Sequence, residues 1–285
     1  MPVYVSTSGL SNGDNVFKIL DAYAKAGLKN VELGSNHKYI PNLSPADFRR
    51  YGFNLLCHHY FPPPRDPLII NLASQNQDIL KKSREQVKKS IDFCASLGIG
   101  LLSFHAGFRA DPDEMETFVF QGKPAAPYER AMTTFIKSIE EINGYAEKKN
   151  VRIAVENNVL AGYNMVEGQN PYLILCQAEE FINFFAEITS PNVGILLDLG
   201  HLNVTANSLG FDRYEFIRRV KDRVFALHIH ENNGVVDEHK EISETGWCLD
   251  IIRDFADFPV VIESVNQSVA QIVSQVALLE DILRG

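Results

Sequence analysis

Asp198-Leu-Gly-His201 places a carboxylate and an imidazole three residues apart at the end of an apolar run, Val193 to Leu197. Asp237-Glu-His239 repeats the pairing at a spacing of two, and a single His or Glu closes five further apolar runs: His58, His105, Glu156, His230 and Glu263. Histidine, aspartate and glutamate make up 44 of the 285 residues, so finding them at the ends of six successive runs is not the outcome of chance placement. Burying that many carboxylates without a counter-charge would cost on the order of several kcal/mol each. A divalent cation is the natural counter-charge, and a mixed imidazole and carboxylate shell suits zinc, manganese or iron rather than calcium. The donors suffice for one to three ions. His228 competes with His230 for the seventh run, because residues two apart on a strand point the same way. His230, nearer the end of the run, is the expected ligand.

The elements that must carry these residues follow from the period of the apolar pattern. Val3 to Ser6 predicts a strand, Asn15 to Ala26 a helix stopped by Gly27, Lys29 to Leu33 a strand, Ser44 to Tyr51 a short helix, and Phe53 to His58 a third strand. Pro62-Pro-Pro64 then makes a stiff loop. Further strands are expected at Ile99 to His105, Val151 to Glu156, Val193 to Leu197, Val224 to His230 and Pro259 to Glu263. Helices are expected over Asn76 to Leu97, Pro127 to Lys149, Ala178 to Ile188, Asp212 to Val220, Trp247 to Phe255 and Val269 to Leu283. Such alternation implies a parallel sheet. Eight βα units in about 250 residues predict an α/β fold, a single (β/α)8 TIM barrel spanning residues 1–285, with all strand C-termini on one rim. The competing doubly wound sheet lacks its usual phosphate loops here, GxGxxG or GxxxxGK. Asp198 is then expected where the sixth strand runs out into its loop.

The formal net charge of −9 gives no electrostatic footprint for nucleic acid or an anionic membrane. No apolar stretch reaches the ~18 residues of a membrane span. The Met1-Pro-Val-Tyr-Val-Ser start has neither a basic nor an apolar leader region, so a cytoplasmic protein is expected. Cys57, Cys94, Cys176 and Cys248 show no CxxC spacing, so free thiols are expected rather than a disulfide framework or a cysteine zinc site.

Several segments resemble the superfamily that joins xylose-isomerase-like sugar isomerases and epimerases with endonuclease IV. They are Leu101-Leu-Ser-Phe-His-Ala-Gly107, Ala154-Val-Glu-Asn157, Asp198-Leu-Gly-His201, His230-Glu-Asn232, Asp237-Glu-His239 and Ile262-Glu-Ser264. The resemblance runs from Val3 to Leu283. It implies that Glu156, Asp198, His230 and Glu263 form a shared metal site, with Glu156 and Glu263 as the acid/base pair of epimerase-like members. It also implies that His58, His105, His201, Asp237 and His239 correspond to the further ligands by which endonuclease IV holds three zinc ions.

Three features favour the isomerase branch. The loop Gly34-Ser-Asn-His-Lys-Tyr-Ile-Pro41 lacks the Arg-rich, aromatic character of a DNA probe, the chain is acidic, and the proline loop together with the Arg109 to Pro127 insert should crowd the mouth. The expected function is therefore a metal-dependent sugar or sugar-phosphate isomerase or epimerase, with one Zn, Mn or Fe ion polarising a hydroxy-ketose toward an enediolate. Glu156 and Glu263 would move the proton, and His201 and Arg109 would hold substrate oxygens. The alternative is an endonuclease IV-like multi-zinc phosphoesterase acting on abasic DNA or another phosphodiester. The expected partner is a small sugar and not a membrane, with nucleic acid expected only under the phosphoesterase alternative; a homo-oligomer is compatible with the sequence.

Overall fold

Short apolar strands with residues buried on both faces need a layer outside and a plug inside, and the chain supplies both. The computed structural model describes residues 3–10, 15–35, 37–66, 68–112, 118–120 and 122–284. Strands β1 (Val3–Ser6), β2 (Asn30–Leu33), β3 (Asn54–His58), β4 (Leu101–His105), β5 (Arg152–Glu156), β6 (Val193–Asp198), β7 (Val224–Ile229) and β8 (Val260–Ile262) close in sequence order into a barrel. Every neighbouring pair is parallel. The TIM barrel expected from the alternation is the fold.

Successive side chains point to opposite faces of a strand. Val31, Leu102, Val155, Ile195 and Leu227 accordingly belong to the main apolar core. Tyr4, Leu56, Ala154, Leu196, Ala226 and Val261 form a separate cluster, the plug of the barrel interior. Two residues further along six of the strand paths, about 7 Å higher, stand Ser6, His58, Glu156, Asp198, His228 and Glu263. An apolar floor therefore lies directly beneath the polar mouth.

The outer layer comprises α1 (Val16–Lys25), α2 (Pro45–Arg49), α3 (Gln77–Leu97), α4 (Tyr128–Glu147), α5 (Ala178–Glu187), α6 (Leu199–Leu209), α7 (Arg213–Val220), α8 (Cys248–Ile252) and α9 (Val269–Arg284). Local chemistry sets several of their ends. Asn15 and Asn76 cap the first turns of α1 and α3, Ser44 and Asp47 form a reciprocal capping box on α2, and Gly98 ends α3 at φ 73°.

One element departs from expectation. Asp198 does not run into a loop: it ends β6 and caps α6, its carboxylate accepting the His201 backbone N–H at 2.7 Å. Seven of the eleven residues of α6 are buried, so it carries no amphipathic stripe from which a helix could be read. All four cysteines are free and buried, as expected. Among the described residues no helix is long and apolar enough to cross a membrane. Of the Arg109 to Pro127 insert, residues 113–117 and 121 lie outside the described residues.

Candidate metal centre at the barrel mouth

The strand register decides which donors stand level. β4 and β5 pair His105 with Glu156, and β6 and β7 pair Asp198 with His228 after a register shift between Ile195 and Leu196. His228 is therefore the imidazole that meets the carboxylates at the floor of the mouth. Its Nδ1 lies 3.0 Å from Glu263, 3.6 Å from Glu156 and 3.7 Å from Asp198. His230, the imidazole expected from the sequence in this quartet, is two residues beyond His228, one layer higher, where its Nε2 lies 3.2 Å from Asp198 and 3.7 Å from Asp237. The two histidines do point into the same mouth, but at different depths.

The described donors fall into groups whose ligand atoms lie within 4.8 Å of one another. The deepest is Glu156, Asp198, His228 and Glu263; beside it is His58, His105 and Glu156; further out are His201, His230, Asp237 and His239. A fourth combination, Glu32, His58 and His228, reuses histidines of the first two. Glu156 is shared: its Oε2 lies 3.1 Å from His105 and 3.5 Å from His58, while its Oε1 faces His228. In the outer group His239 and His201 approach Asp237 Oδ2 at 2.8 and 3.2 Å, and the rings of His230 and His239 stack at 3.8 Å.

Four of these imidazoles spend one nitrogen on a fixed partner and turn the other toward a carboxylate. His58 Nδ1 pairs with the Ser103 hydroxyl at 3.0 Å, and the Nδ1–H groups of His201 and His239 donate to the carbonyls of Asn157 (3.0 Å) and Glu263 (3.1 Å). His228 does the reverse, turning Nε2 to the Glu32 carboxylate at 2.9 Å. Such partners fix ring orientation in metal sites. The residues also pass the test of unmet need: both Glu156 oxygens, Asp198 Oδ2, His228 Nδ1, both ring nitrogens of His230 and Asp237 Oδ1 are buried without a hydrogen-bond partner. Buried polar atoms are otherwise nearly always satisfied. A cation among them would supply what is missing, and the donor chemistry fits zinc, manganese or iron.

Electrostatics in the metal-free cluster point the same way. Burial pushes the Glu156 carboxyl up to about 8, whereas burial is overcome at Asp198 by His201 and His230, at Asp237 by His239, and at Glu263 by His228, all of which fall below the usual carboxylate range. Burial would lower His201, His228 and His239, but Asp198, Glu263 and Asp237 respectively raise them, His239 to about 9. Burial and neighbouring imidazoles hold His58 and His105 well below the ordinary value, so both are neutral donors. A cation bound among these groups would take the place of protons on Glu156, His201, His228 and His239.

Arg109, expected to hold substrate, is not brought to this cluster. Its Nε and Nη1 donate to the carbonyls of Ala126 and Asn170 at 3.0 and 3.3 Å, which ties it to the loops behind the mouth. Glu32 and His59 were not read from the sequence as site residues. Period-two alternation is the signal for Glu32, since Val31 and Leu33 face the outer core. His59, buried next to His58, adopts a left-handed backbone at φ 44° and stands 4.7 Å from the His105 ring.

An uncharacterized protein of Methanocaldococcus jannaschii is 28% identical over 60% of this chain and 55% of its own length. A probable endonuclease 4 of Thermotoga petrophila is 36% identical over 36% of this chain and 33% of its own. The chain spans less than two thirds of the length of the first curated relatives it matches. Among solved structures, a D-tagatose 3-epimerase-like protein superposes with a TM-score of 0.72 at 20% identity, covering 100% of this chain and 97% of that one. At that identity the likeness carries the fold. The family model described as xylose isomerase-like TIM barrel matches residues 20–279. With nearly the whole barrel matched, the chain belongs to the xylose isomerase-like TIM barrel family.

Proposed function

We propose that this protein is a divalent-metal enzyme that seats more than one cation at the barrel mouth and cleaves a phosphoester of a small substrate. The observation that carries this reading is the position of Glu156, whose two unpartnered oxygens serve the His58 and His105 group on one side and the Asp198, His228 and Glu263 group on the other. Bound there, the cations would neutralise a phosphoryl group and activate water for attack. His58, His105 and Glu156 would hold one ion, Glu156, Asp198, His228 and Glu263 a second, and His201, His230, Asp237 and His239 a third. The short match to a probable endonuclease 4 supports the same chemistry. A small substrate is favoured by the net charge of −9 and by the apolar wall beside the mouth, where Phe118 comes within 6.3 Å of the His105 ring.

A second reading is a sugar isomerase or epimerase, favoured by the quartet alone, because it presents two glutamates beside one imidazole and one aspartate. Glu156 and Glu263 would then remove and return the proton of a hydroxy-ketose. Metal content and chemistry separate the two readings. Protein loaded with zinc or manganese and dialysed should retain more than one ion per chain and hydrolyse bis(p-nitrophenyl) phosphate. A single retained ion, with solvent deuterium entering a ketose beside its carbonyl, replaces the first reading by the second. Protein that retains no ion removes both.

A further inference from the structure

Glu32 is a buried carboxylate that none of the three donor groups needs. It lies on β2 at 1% exposure, and its Oε2 meets His228 Nε2 at 2.9 Å, while its Oε1 has no hydrogen-bond partner. β2 and β7 are not neighbours in the barrel, being separated by β1 and β8. The contact therefore spans the interior, above the apolar plug and below the mouth. It joins the donor layer to its lower edge: Glu32 pairs in register with Ser6 of that layer and with Leu56 of the plug, and His228 with Asp198.

A separate cation held by Glu32, His58 and His228 is the competing explanation, and the nitrogens decide against it. His58 pairs Nδ1 with Ser103 and turns Nε2 to Glu156, so a cation at Glu32 would strip the Glu156 group of a donor. His228 already uses Nε2 on Glu32 and offers Nδ1 to Glu263. The other imidazoles with a fixed partner use a neutral one, a hydroxyl or a backbone carbonyl. Of the four described imidazoles with a fixed partner, His228 is the one backed by a carboxylate. A carboxylate behind an imidazole fixes which nitrogen carries the proton and makes the opposite nitrogen a stronger donor.

We infer that Glu32 is a positioning residue for the quartet: it holds the His228 Nε2–H so that Nδ1 faces Glu156, Asp198 and Glu263 as the ligand atom. The inference rests on the metal reading above. It makes the ion of the quartet the most sensitive to a residue that touches neither ion nor substrate. A carboxylate there for packing alone would be matched by glutamine, which has the same shape and an oxygen able to accept the same proton.

Two variants and two measurements test it. Glu32→Ala should weaken the ion held by Glu156, Asp198, His228 and Glu263 by about 10- to 100-fold, the range found when the backing partner of a metal-bound histidine is removed. Glu32→Gln, which keeps the fold and the acceptor but not the charge, should give a smaller loss in the same direction, and the ion at His201, His230, Asp237 and His239 should be unaffected in both. Metal affinity is read by competition with a chromophoric chelator. The second measurement uses metal-free protein: proton NMR should show a downfield, slowly exchanging His228 Nε2–H that vanishes in Glu32→Ala. Wild-type protein without that resonance, or a folded Glu32→Ala that binds every ion as wild type does, overturns the inference. A wild type that shows the resonance yet retains no metal removes the proposed function and upholds the hold of Glu32 on His228.

Discussion

The floor of the mouth and its outer rim hold the same kinds of donor but are built differently. On the floor, Glu156, Asp198 and His228 belong to strands, are 0% exposed, and inherit their positions from the hydrogen-bond ladder of the barrel. On the rim, His201 rides on the first turn of α6, and Asp237 and His239 sit in the loop after β7 with side chains 17% and 23% exposed. That loop is held by paired backbone bonds between Glu231 and Lys240, at 2.7 and 3.0 Å, and by Val265 N–H on the His239 carbonyl at 2.9 Å. Loop backbone and more exposed side chains define a rim that opens at lower cost than the floor. The floor should bind its ion more tightly, and the rim should be the part that yields to substrate.

The largest test of this contrast is Glu156→Gln. One substitution removes the carboxylate common to two groups, so at least one ion should be lost from the floor while the rim keeps its own. Activity on a confirmed substrate should fall more than about 100-fold, beyond the range seen when only a backing partner is removed. Retention of every ion, measured by elemental analysis after dialysis, would remove Glu156 from its shared position.

The reverse experiment uses Gly200, in the first turn of α6. A Cβ there would stand 2.0 Å from His230 Cε1, so Gly200→Ala must displace the His230 ring. Crowding a buried ring costs about 1–3 kcal/mol, offset in part by the roughly 1 kcal/mol better helix propensity of alanine, so the fold should persist at somewhat lower stability. The rim ion should weaken by about 10-fold or more, with the floor ion unchanged; equal weakening at both would show that the two levels are one rigid unit.

This contrast also marks what could be read from sequence. All eight strands are visible in the chain, because a buried strand is a short apolar run, and so are the His, Asp or Glu residues at or just past the ends of six of them. Depth is not visible. His228 and His230 have the same alternation and composition, and only the shift between β6 and β7 places the first level with Asp198. The start of α6 is hidden for a related reason: Asp198 is strand end, helix cap and donor at once, and α6 is buried too completely to show a stripe. Arg109 is expected from the sequence to hold substrate oxygens, yet the carbonyls that claim it come from 17 and 61 residues away.

Titration should sharpen the comparison by a few kcal/mol. The His239 pKa is raised to about 9, so its stabilising contribution is full below the ordinary histidine value of about 6.5 and is lost as pH rises through 9. Glu156, raised to about 8, acts in the same direction over its own window, from the ordinary 4.5 up to about 8, because the unfolded chain's carboxyl ionises there while the buried one holds its proton. Asp237 and Glu263, held below their usual range, lose their contribution only as pH falls beneath it. Metal-free protein should therefore lose stability between pH 6.5 and 9, whereas metal-loaded protein, its protons already displaced, should not. Urea midpoints for both forms across that interval give the measurement, and parallel curves would mean that the cluster does not exchange protons for cations.

The smallest effect is expected at Arg109, which belongs to neither level. Its side chain joins the carbonyls of Ala126 and Asn170, while its backbone N–H donates to Tyr172 at 2.6 Å and its carbonyl accepts from Ala126 at 2.8 Å. Arg109→Ala leaves the backbone pair in place and removes only the guanidinium bonds. The loss should be about 1 kcal/mol, or roughly 2 °C in Tm for a chain of this size. Because neither bond reaches the donor groups, metal content should not change. A substrate clamp behaves differently, raising KM when removed while sparing Tm. A raised KM at unchanged Tm would return Arg109 to the mouth and show that the wall, as well as the floor and rim, takes part in binding.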